Sequence, residues 1–356
     1  MRVTIEGSCL LMRSAGVKTY IWHWLNALRA AADGDEVRTF PFIPVVQELN
    51  HAGSVLTHWQ TVPRLGLLFG ANHSPFLLDA LTLRDDIFHT SNLMRQIPRR
   101  ARLTTTIHDV TARIMPEVHQ KGTLIAEQEY ADRILPAVAG IIASSENTRR
   151  DIIRTVGIPD KKIHVIYPGI TREYFDATPT PRAKPYVLYV GTIEPRKNID
   201  RLLDAWQQMR ASLRDEFDLL IAGPEGWASA ATMARVRAGS YLGYVPEAEM
   251  PGLFAGATAF VYPSLYEGFG FPVAQAMAAG TPVVTSTTSC LPEVVGDAGL
   301  LADPYSVAEI CAALERVLLS ESLREDLVAR GRIRAREFSW EANAIASWEF
   351  FRRVRG

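Results

Sequence analysis

Short apolar runs alternate with amphipathic helical stretches along the whole chain. Residues 2–6 (RVTIE) read as a strand, 7–18 as a loop and 19–32 as an amphipathic helix. Further strand-like runs fall at 86–89, 103–107, 140–143 and 162–166. This alternation is what parallel strands joined by helical crossovers produce. Residues 169–185 (GITREYFDATPTPRAKP) interrupt it with three prolines, three threonines and no apolar period, the composition of a linker. The pattern restarts at 186–190 (YVLYV). A helix over 198–212, strands at 217–223, 241–242, 259–262 and 282–285, and helices over 306–319 and 323–338 follow. The tail, 339–354, carries Trp340, Trp348, Phe350 and Phe351, and so aromatic a terminus needs a surface to bury it, expected on the first domain.

The pattern predicts an α/β protein of two doubly wound, Rossmann-like domains, with ligands bound at the carboxyl ends of the strands. A length of 356 residues suits two domains, since single cores rarely grow past about 250–300 residues. The net charge of -1 argues against nucleic acid as a partner. Cys9, Cys290 and Cys311 have neither CxxC spacing nor histidines at metal-site spacing, which points to a reducing compartment. The chain opens directly on a strand, so no signal peptide is expected, and no apolar run approaches the roughly 20 residues of a membrane span. Residues 65–71 and 76–81 are the most lipid-like segments; the expectation for them is buried helix, with a surface resting on a membrane as the alternative.

Two segments carry chemistry. Residues 267–281 (EGFGFPVAQAMAAGT) place a carboxylate, Glu267, after an apolar strand, then Gly268 and Gly270, then Pro272 at a helix start. A glycine turn at a helix N-terminus offers N–H groups and a positive dipole end to an anion, whereas a carboxylate suits hydroxyl groups. The pairing suggests a ligand both phosphorylated and polyhydroxylic, such as a nucleotide sugar. In GTIEPRKNIDRLL (191–203), Gly191 allows a sharp exit from a strand, and Arg196 and Lys197 sit before the next helix, where two cations suit a diphosphate.

With these segments in place, the chain resembles the retaining glycosyltransferases of family 4, the group 1 enzymes of GT-B fold. The likeness rests on YVGTIEPRKN (189–198), LLIAGP (219–224), YLGYVPEAEM (241–250), YPSLYEGFGFPVAQAMAAGTPVV (262–284) and LPEVVGDAGLL (291–301). It continues in the first half through the loop around Gly16, TTTIHDVTARIMPE (104–117), IIASSENTRRDI (141–152) and VIYPG (165–169), so it spans nearly the whole chain in order. The resemblance implies an acceptor-side domain over 1–172 joined by a C-terminal helix at 339–356, a linker at 173–185, and a nucleotide-sugar-binding domain over 186–338. It implies that Arg196 and Lys197 hold the donor diphosphate and its developing charge, that Glu267 lies against the donor sugar, and that His108 contacts the transferred sugar. It further implies a donor site lined by Gly191, Thr192 and the N–H groups of Gly268, Phe269, Gly270 and Phe271. Tyr244 and Val245 would flank the nucleobase, and Gly16 would let its loop approach the diphosphate.

Two positions depart from the family. Gln275 stands where a second glutamate usually binds ribose; on a helix starting at Pro272 it lies in the first turn, and it gives up a charge-assisted hydrogen bond. Thr192 stands where many members have arginine. No metal or cofactor is implied, because cations and helix dipoles take the metal's place. Asp33 and Asp35 (DGD) sit in a turn and make weak metal candidates, and His108–Asp109 lacks a nearby nucleophile to activate. Arg95, Arg99, Arg100 and Arg102 read as a solvated face, with anionic lipid or acceptor phosphates as the alternative.

The implied reaction is transfer of a hexose, mannose from GDP-mannose in preference, to a glycan or lipid-linked saccharide with anomeric retention. The setting is cytoplasmic, with peripheral contact at the inner face of a bacterial membrane as a further expectation. A UDP-sugar-dependent hexosyltransferase, a weakly catalytic or non-catalytic nucleotide-sugar-binding subunit, and a phosphorolytic or epimerising enzyme of the same architecture remain as alternatives. A nicotinamide-dependent dehydrogenase is disfavoured, since no GxGxxG follows the first strand.

Overall fold

A computed structural model describes residues 1–356 apart from 14, 15, 47, 52 and 92, so part of the loop expected over 7–18 lies outside the described residues. The chain divides into two units, Met1–Gly169 with Trp340–Gly356, and Ile170–Ser339.

The first unit holds a six-stranded parallel sheet of β1 (Arg2–Glu6), β2 (Glu36–Phe40), β3 (Ile87–Thr90), β4 (Arg102–Ile107), β5 (Gly140–Ala143) and β6 (Ile163–Val165), ordered β2-β1-β3-β4-β5-β6. The central strands β3 and β5 are buried along their length, as the apolar runs require when helices cover both faces. Strand β2 was not anticipated. It is an edge strand whose first residue is exposed and whose next two are half-buried, and EVRTF lacks the continuous apolar run of a central strand.

Helix α1 (Gly16–Ala30) crosses from β1 to β2 and buries Tyr20, Ile21, Trp24, Leu25 and Leu28. The C-terminal helix, Trp340–Arg355, packs along it: Trp24 Nε1 donates to Ser347 Oγ (3.0 Å) and Trp348 Nε1 to the Leu28 carbonyl (3.1 Å). The aromatic tail therefore finds its surface on the first unit. Lys18 is also buried. Its ammonium donates to the carbonyls of Asn50 (2.8 Å), Gly53 (2.6 Å) and Met12, which ties Asn50 and Gly53 to the start of α1.

The expectation of buried helix at 65–71 and 76–81 is corrected in part. Helices α2 (His58–His73) and α3 (Pro75–Leu81) do form, but they bury only Thr61, Leu68, Ala71 and Leu78. Large apolar side chains on their other faces are open to solvent.

The second unit repeats the plan with β7 (Tyr186–Val190), β8 (Asp218–Ala222), β9 (Ser240–Gly243), β10 (Ala259–Tyr262), β11 (Val283–Ser286) and β12 (Gly299–Ala302), all parallel and ordered β12-β11-β10-β7-β8-β9. Strand β12, half-exposed at the edge, is the second strand the pattern did not announce. Residues 173–185 run within this unit: Tyr174 packs on Phe254 (5.8 Å between ring centres), and Thr180 N–H donates to the Gly252 carbonyl (3.0 Å).

His89, on β3, is enclosed between Thr104 Oγ1 (2.9 Å) and Thr106 Oγ1 (3.0 Å), with Trp24 and Phe351 against its ring. Burial, aided by the neighbouring His108, pushes its pKa from 6.5 down to about 3. The unfolded chain thus takes up a proton between pH 6.5 and about 3 that the folded chain refuses, so stability is full above that window and is lost as pH falls through it. Thermal melts should show the midpoint falling with acid, and His89→Gln should flatten the fall. An equal slope in both proteins would remove His89 from this account.

Candidate active site

The two loops that carry the candidate chemistry leave adjacent strands. β7 pairs with β10 (Ala259↔Val187, Phe260↔Leu188), with β8 and β9 to one side and β11 and β12 to the other. Such a reversal of strand order opens a crevice at the carboxyl ends. Gly191 leaves β7 there, its N–H donated to the Ala222 carbonyl (2.9 Å), with half-buried Thr192 next. The loop after β8 passes so close that a Cβ on Gly223, at φ +137°, would lie 2.1 Å from the Gly191 oxygen.

Pro195–Lys197 form one 3-10 turn, and Asn198 follows in the left-handed region at φ 60°. The Asn198 amide donates to the carbonyls of Pro263 (2.9 Å) and Pro304 (2.7 Å), fixing the turn against the loop after β10. Arg196 and Lys197 are thereby held over that loop's carboxylate.

Glu267 is 7% exposed. Lys197 Nζ lies 2.7 Å from its Oε1 and Arg196 Nη1 2.9 Å from its Oε2. The hydroxyls of Ser264 (2.6 Å) and Tyr262 (3.0 Å) donate to the same Oε1, and Lys197 donates to the Tyr262 oxygen. Ser289, at φ 56°, accepts the Glu267 N–H (3.1 Å). Burial alone would raise the Glu267 pKa, but the charges of Arg196 and then Lys197 outweigh it and hold the carboxyl down at about 2. Burial lowers the Lys197 pKa, as does Arg196, against the opposing pull of Glu267. Arg196 also pairs with Glu194 (2.6 Å) and donates to the Tyr266 carbonyl (2.6 Å). Two cations and two carboxylates thus balance in one cluster, and an entering anion would have to draw Arg196 and Lys197 away from Glu267.

Behind Glu267, Gly268, Phe269 and Gly270 lead into the helix Phe271–Ala279, with Gly270 as N-cap at φ +83°. A Cβ on Gly270 would meet Leu291 at 2.8 Å, so the position needs glycine for both backbone angle and space. The Phe269 ring is buried against Phe338 (5.1 Å) and Phe271 (5.3 Å). The helix starts at Phe271, one residue earlier than expected, so Gln275 falls in its second turn rather than its first. Tyr244, exposed, and Val245, half-buried, follow Gly243 at the end of β9.

Gly16 and His108 belong to the first unit. Gly16 opens α1, and a Cβ there would meet nothing within 4 Å, so the fold of this unit does not demand glycine. Tyr20, one turn further along α1, packs edge-on against the His108 ring (4.6 Å). The His108 carbonyl, at the end of β4, accepts from Ser144 Oγ (2.6 Å) and Thr148 Oγ1 (3.3 Å). Burial lowers the His108 pKa to about 4 against the raising effect of Asp109, although part of the residue remains open to solvent, so the imidazole is neutral at pH 7. Asp109 Oδ1 accepts from the Thr111 N–H (2.9 Å) and hydroxyl (2.7 Å), which commits it to the next helix start. Beside it lies a cavity of about 150 Å³ lined in part by Arg113, His119, Glu127 and Tyr130.

Of the weaker candidates, Asp35 binds the N-terminal ammonium (2.7 Å) and Arg352 (2.9 Å). No group of three or more His, Cys, Asp or Glu among the described residues is placed to hold a metal ion. Sequence reasoning missed Tyr262, Ser264, Ser289 and Glu194. Tyr262 and Ser264 stand five and three residues before Glu267, and Glu194 lies in the EPRK stretch, so their signal was proximity. Ser289 comes 22 residues after Glu267 and carried no signal.

The family model described as "Glycosyl transferases group 1" matches residues 171–334, and that described as "Glycosyltransferase Family 4" matches residues 14–174. The chain is 38% identical over 275 residues to the O-antigen chain mannosyltransferase B of Escherichia coli, covering 72% of each chain. It is similar in structure to sucrose-phosphate synthase from Thermosynechococcus elongatus (TM-score 0.76, 21% identity, 99% of both chains). It is also similar to Anabaena HepE, solved with UDP and glucose (TM-score 0.67, 16% identity, 98% of both chains). The structural likenesses show the GT-B fold.

Tyr262→Phe removes the hydroxyl shared by Lys197 and Glu267, and chemical denaturation should show a loss of about 1–2 kcal/mol. Unchanged stability would mean that the hydroxyl adds nothing to the network.

Proposed function

The chain belongs to the group 1 glycosyltransferases of family 4, and from that premise we propose that it transfers mannose from GDP-mannose to a hydroxyl of a lipid-linked saccharide, with anomeric retention and without a metal ion. The observation that carries the reading is the Arg196–Glu267–Lys197 cluster at the strand-order reversal of the second unit, beside a glycine-capped helix N-terminus. Mannose is favoured by the 38% identity to an O-antigen mannosyltransferase, and a nucleotide-sugar donor by the UDP bound in HepE. In this reading the first unit serves the acceptor and the second the donor.

Each residue then has a physical task. The donor diphosphate takes over Arg196 and Lys197, and the freed Glu267 carboxylate accepts hydroxyl hydrogens of the sugar. As the bond from C1 to the phosphate oxygen breaks, those cations and the N–H groups of Gly268 to Phe271 stabilise the charge growing on the leaving diphosphate. The acceptor oxygen bonds to C1 on the same face, and its proton passes to the departing phosphate oxygen, so no protein nucleophile is used. Neutral His108 serves the sugar as a hydrogen-bonding group. Gly191, Thr192 and Gly16 leave room for the diphosphate, Tyr244 and Val245 border the base, and Gln275 lies toward the ribose. The acceptor's lipid places the reaction at the cytoplasmic face of a membrane.

GDP-mannose should raise the melting temperature and UDP- or ADP-sugars should not, since a donor at 100 times its Kd adds about 2.7 kcal/mol. Stabilisation by UDP-glucose alone would replace the mannose reading with UDP-dependent transfer. Arg196→Ala and Lys197→Ala should each lower GDP release by about 100-fold or more with the fold retained; wild-type rates in both would sink the diphosphate assignment. Gln275→Glu should tighten donor binding by several-fold, and unchanged affinity would point its side chain away from the ribose.

A further inference from the structure

Helix α2 presents an unusual face to solvent. Trp59, Val62, Gly66, Phe69 and His73 recur at intervals of three and four, so they form one stripe along the helix. Leu68 and Ala71, on the opposite face, supply the buried contacts. Trp59 is 86% exposed, Phe69 66% and Val62 51%, and Phe76 on α3 is 73% exposed. Scattered exposed apolar residues need no explanation, but this row gathers two large aromatics and a valine on one helix face, with a third aromatic just beyond on α3.

Basic groups outnumber acidic ones beside the stripe, with Arg95, Arg99 and Arg100 set against Asp79 and Glu129. Between Glu48 and Asp79 the chain contains no acidic residue. The neighbouring 93–99 segment is fastened to α2 and α3: Asn72 Oδ1 accepts the Arg95 N–H (2.9 Å), Asp79 Oδ1 accepts the Arg99 N–H (2.8 Å), and Asn72 Nδ2 donates to the Leu93 carbonyl (3.0 Å). These bonds set exposed Arg95 and Arg99 next to the apolar row, and the Arg99 guanidinium lies over the Phe76 ring (5.4 Å). Arg100 continues the basic edge. Asp79 and Glu129 are the acidic partners of Arg99 and Arg95, at 3.5 and 3.9 Å, which are loose, exposed pairs.

We propose that this face rests on an anionic lipid bilayer, with Trp59, Phe69 and Phe76 entering the interfacial zone and Arg95, Arg99 and Arg100 facing lipid phosphates. An interfacial helix combines an apolar face with nearby cations in this way. Self-association through the same face is disfavoured by charge: a two-fold pairing sets the patch against its own copy, bringing arginines together with few acids to separate them. A bilayer carries the missing negative charge. The inference stands apart from the donor assignment, since none of these residues belongs to the second unit.

The test is co-sedimentation of the whole protein with vesicles of neutral phosphatidylcholine and with vesicles containing about 30% phosphatidylglycerol, at about 0.1 M salt. Wild-type protein should sediment with the anionic vesicles and release as salt rises. A Trp59→Ser, Phe69→Ser, Phe76→Ser variant should bind at least tenfold more weakly, and an Arg95→Ala, Arg99→Ala, Arg100→Ala variant should lose the preference for anionic lipid. GDP-mannose thermal shifts in both should match wild type, which keeps folding and donor binding separate from lipid binding. Should the triple serine variant fail to fold, Trp59→Phe provides the check: it should still bind, but lose most of the tryptophan quenching by brominated lipid. The proposal is overturned if wild type ignores anionic vesicles, if binding survives the serine substitutions, if Trp59→Phe leaves the quenching unchanged, or if those substitutions instead abolish a dimer.

Discussion

A carboxylate enclosed by protein keeps its charge only when opposite charges are held against it, and in the second unit that condition rests on Glu267. Desolvation would favour its protonated form, yet Arg196 and Lys197 reverse the balance and hold the pKa at about 2. The surrounding backbone is arranged to keep those partners in reach. Left-handed Asn198 fastens the cationic turn to the carbonyls of Pro263 and Pro304, Ser289 accepts the Glu267 N–H, and Tyr262 and Ser264 direct hydroxyls at one carboxylate oxygen. Removing one cation would leave the cluster with an excess of buried negative charge, which is costlier than the loss of a surface pair.

The arrangement also bears on how a ligand enters. The cations expected to bind a diphosphate are engaged by Glu267, so the anion replaces a carboxylate rather than meeting bare ammonium and guanidinium groups. Arg196 and Lys197 are already largely removed from water by that pairing, so part of their desolvation precedes the ligand. In that proposal, Glu267 would give up its ionic partners, keep the hydroxyl donors Tyr262 and Ser264, and accept sugar hydroxyls. Under the proposed function, a single exchange of partners would couple diphosphate binding to sugar binding.

Much of this site was legible from residue types and spacing. Glu267, Arg196 and Lys197 lie in short segments where glycine, proline and charge coincide, and the alternation of strands and helices placed both segments at carboxyl ends of strands. Edge strand β2 was not legible, because a strand exposed along one side does not need a continuous apolar run. Ser289 was invisible for a different reason: its bond to Glu267 spans 22 residues and depends on a positive φ that no local pattern announces. Helices α2 and α3 show a third kind of failure. Their apolar content announced helix, but apolar content cannot say which face finds a neighbour.

The type of most elements and the charge of the candidate groups therefore follow from the chain itself, through side-chain period and residue chemistry. Which strands adjoin was decided only in three dimensions: β7 lies beside β10, and that adjacency turns two distant segments into one charged cluster. The same is true of the aromatic tail, buried by α1, and of Trp59 and Phe69, left mostly exposed. Local patterns state what a segment needs to bury or to pair, whereas tertiary packing decides which of those needs are met.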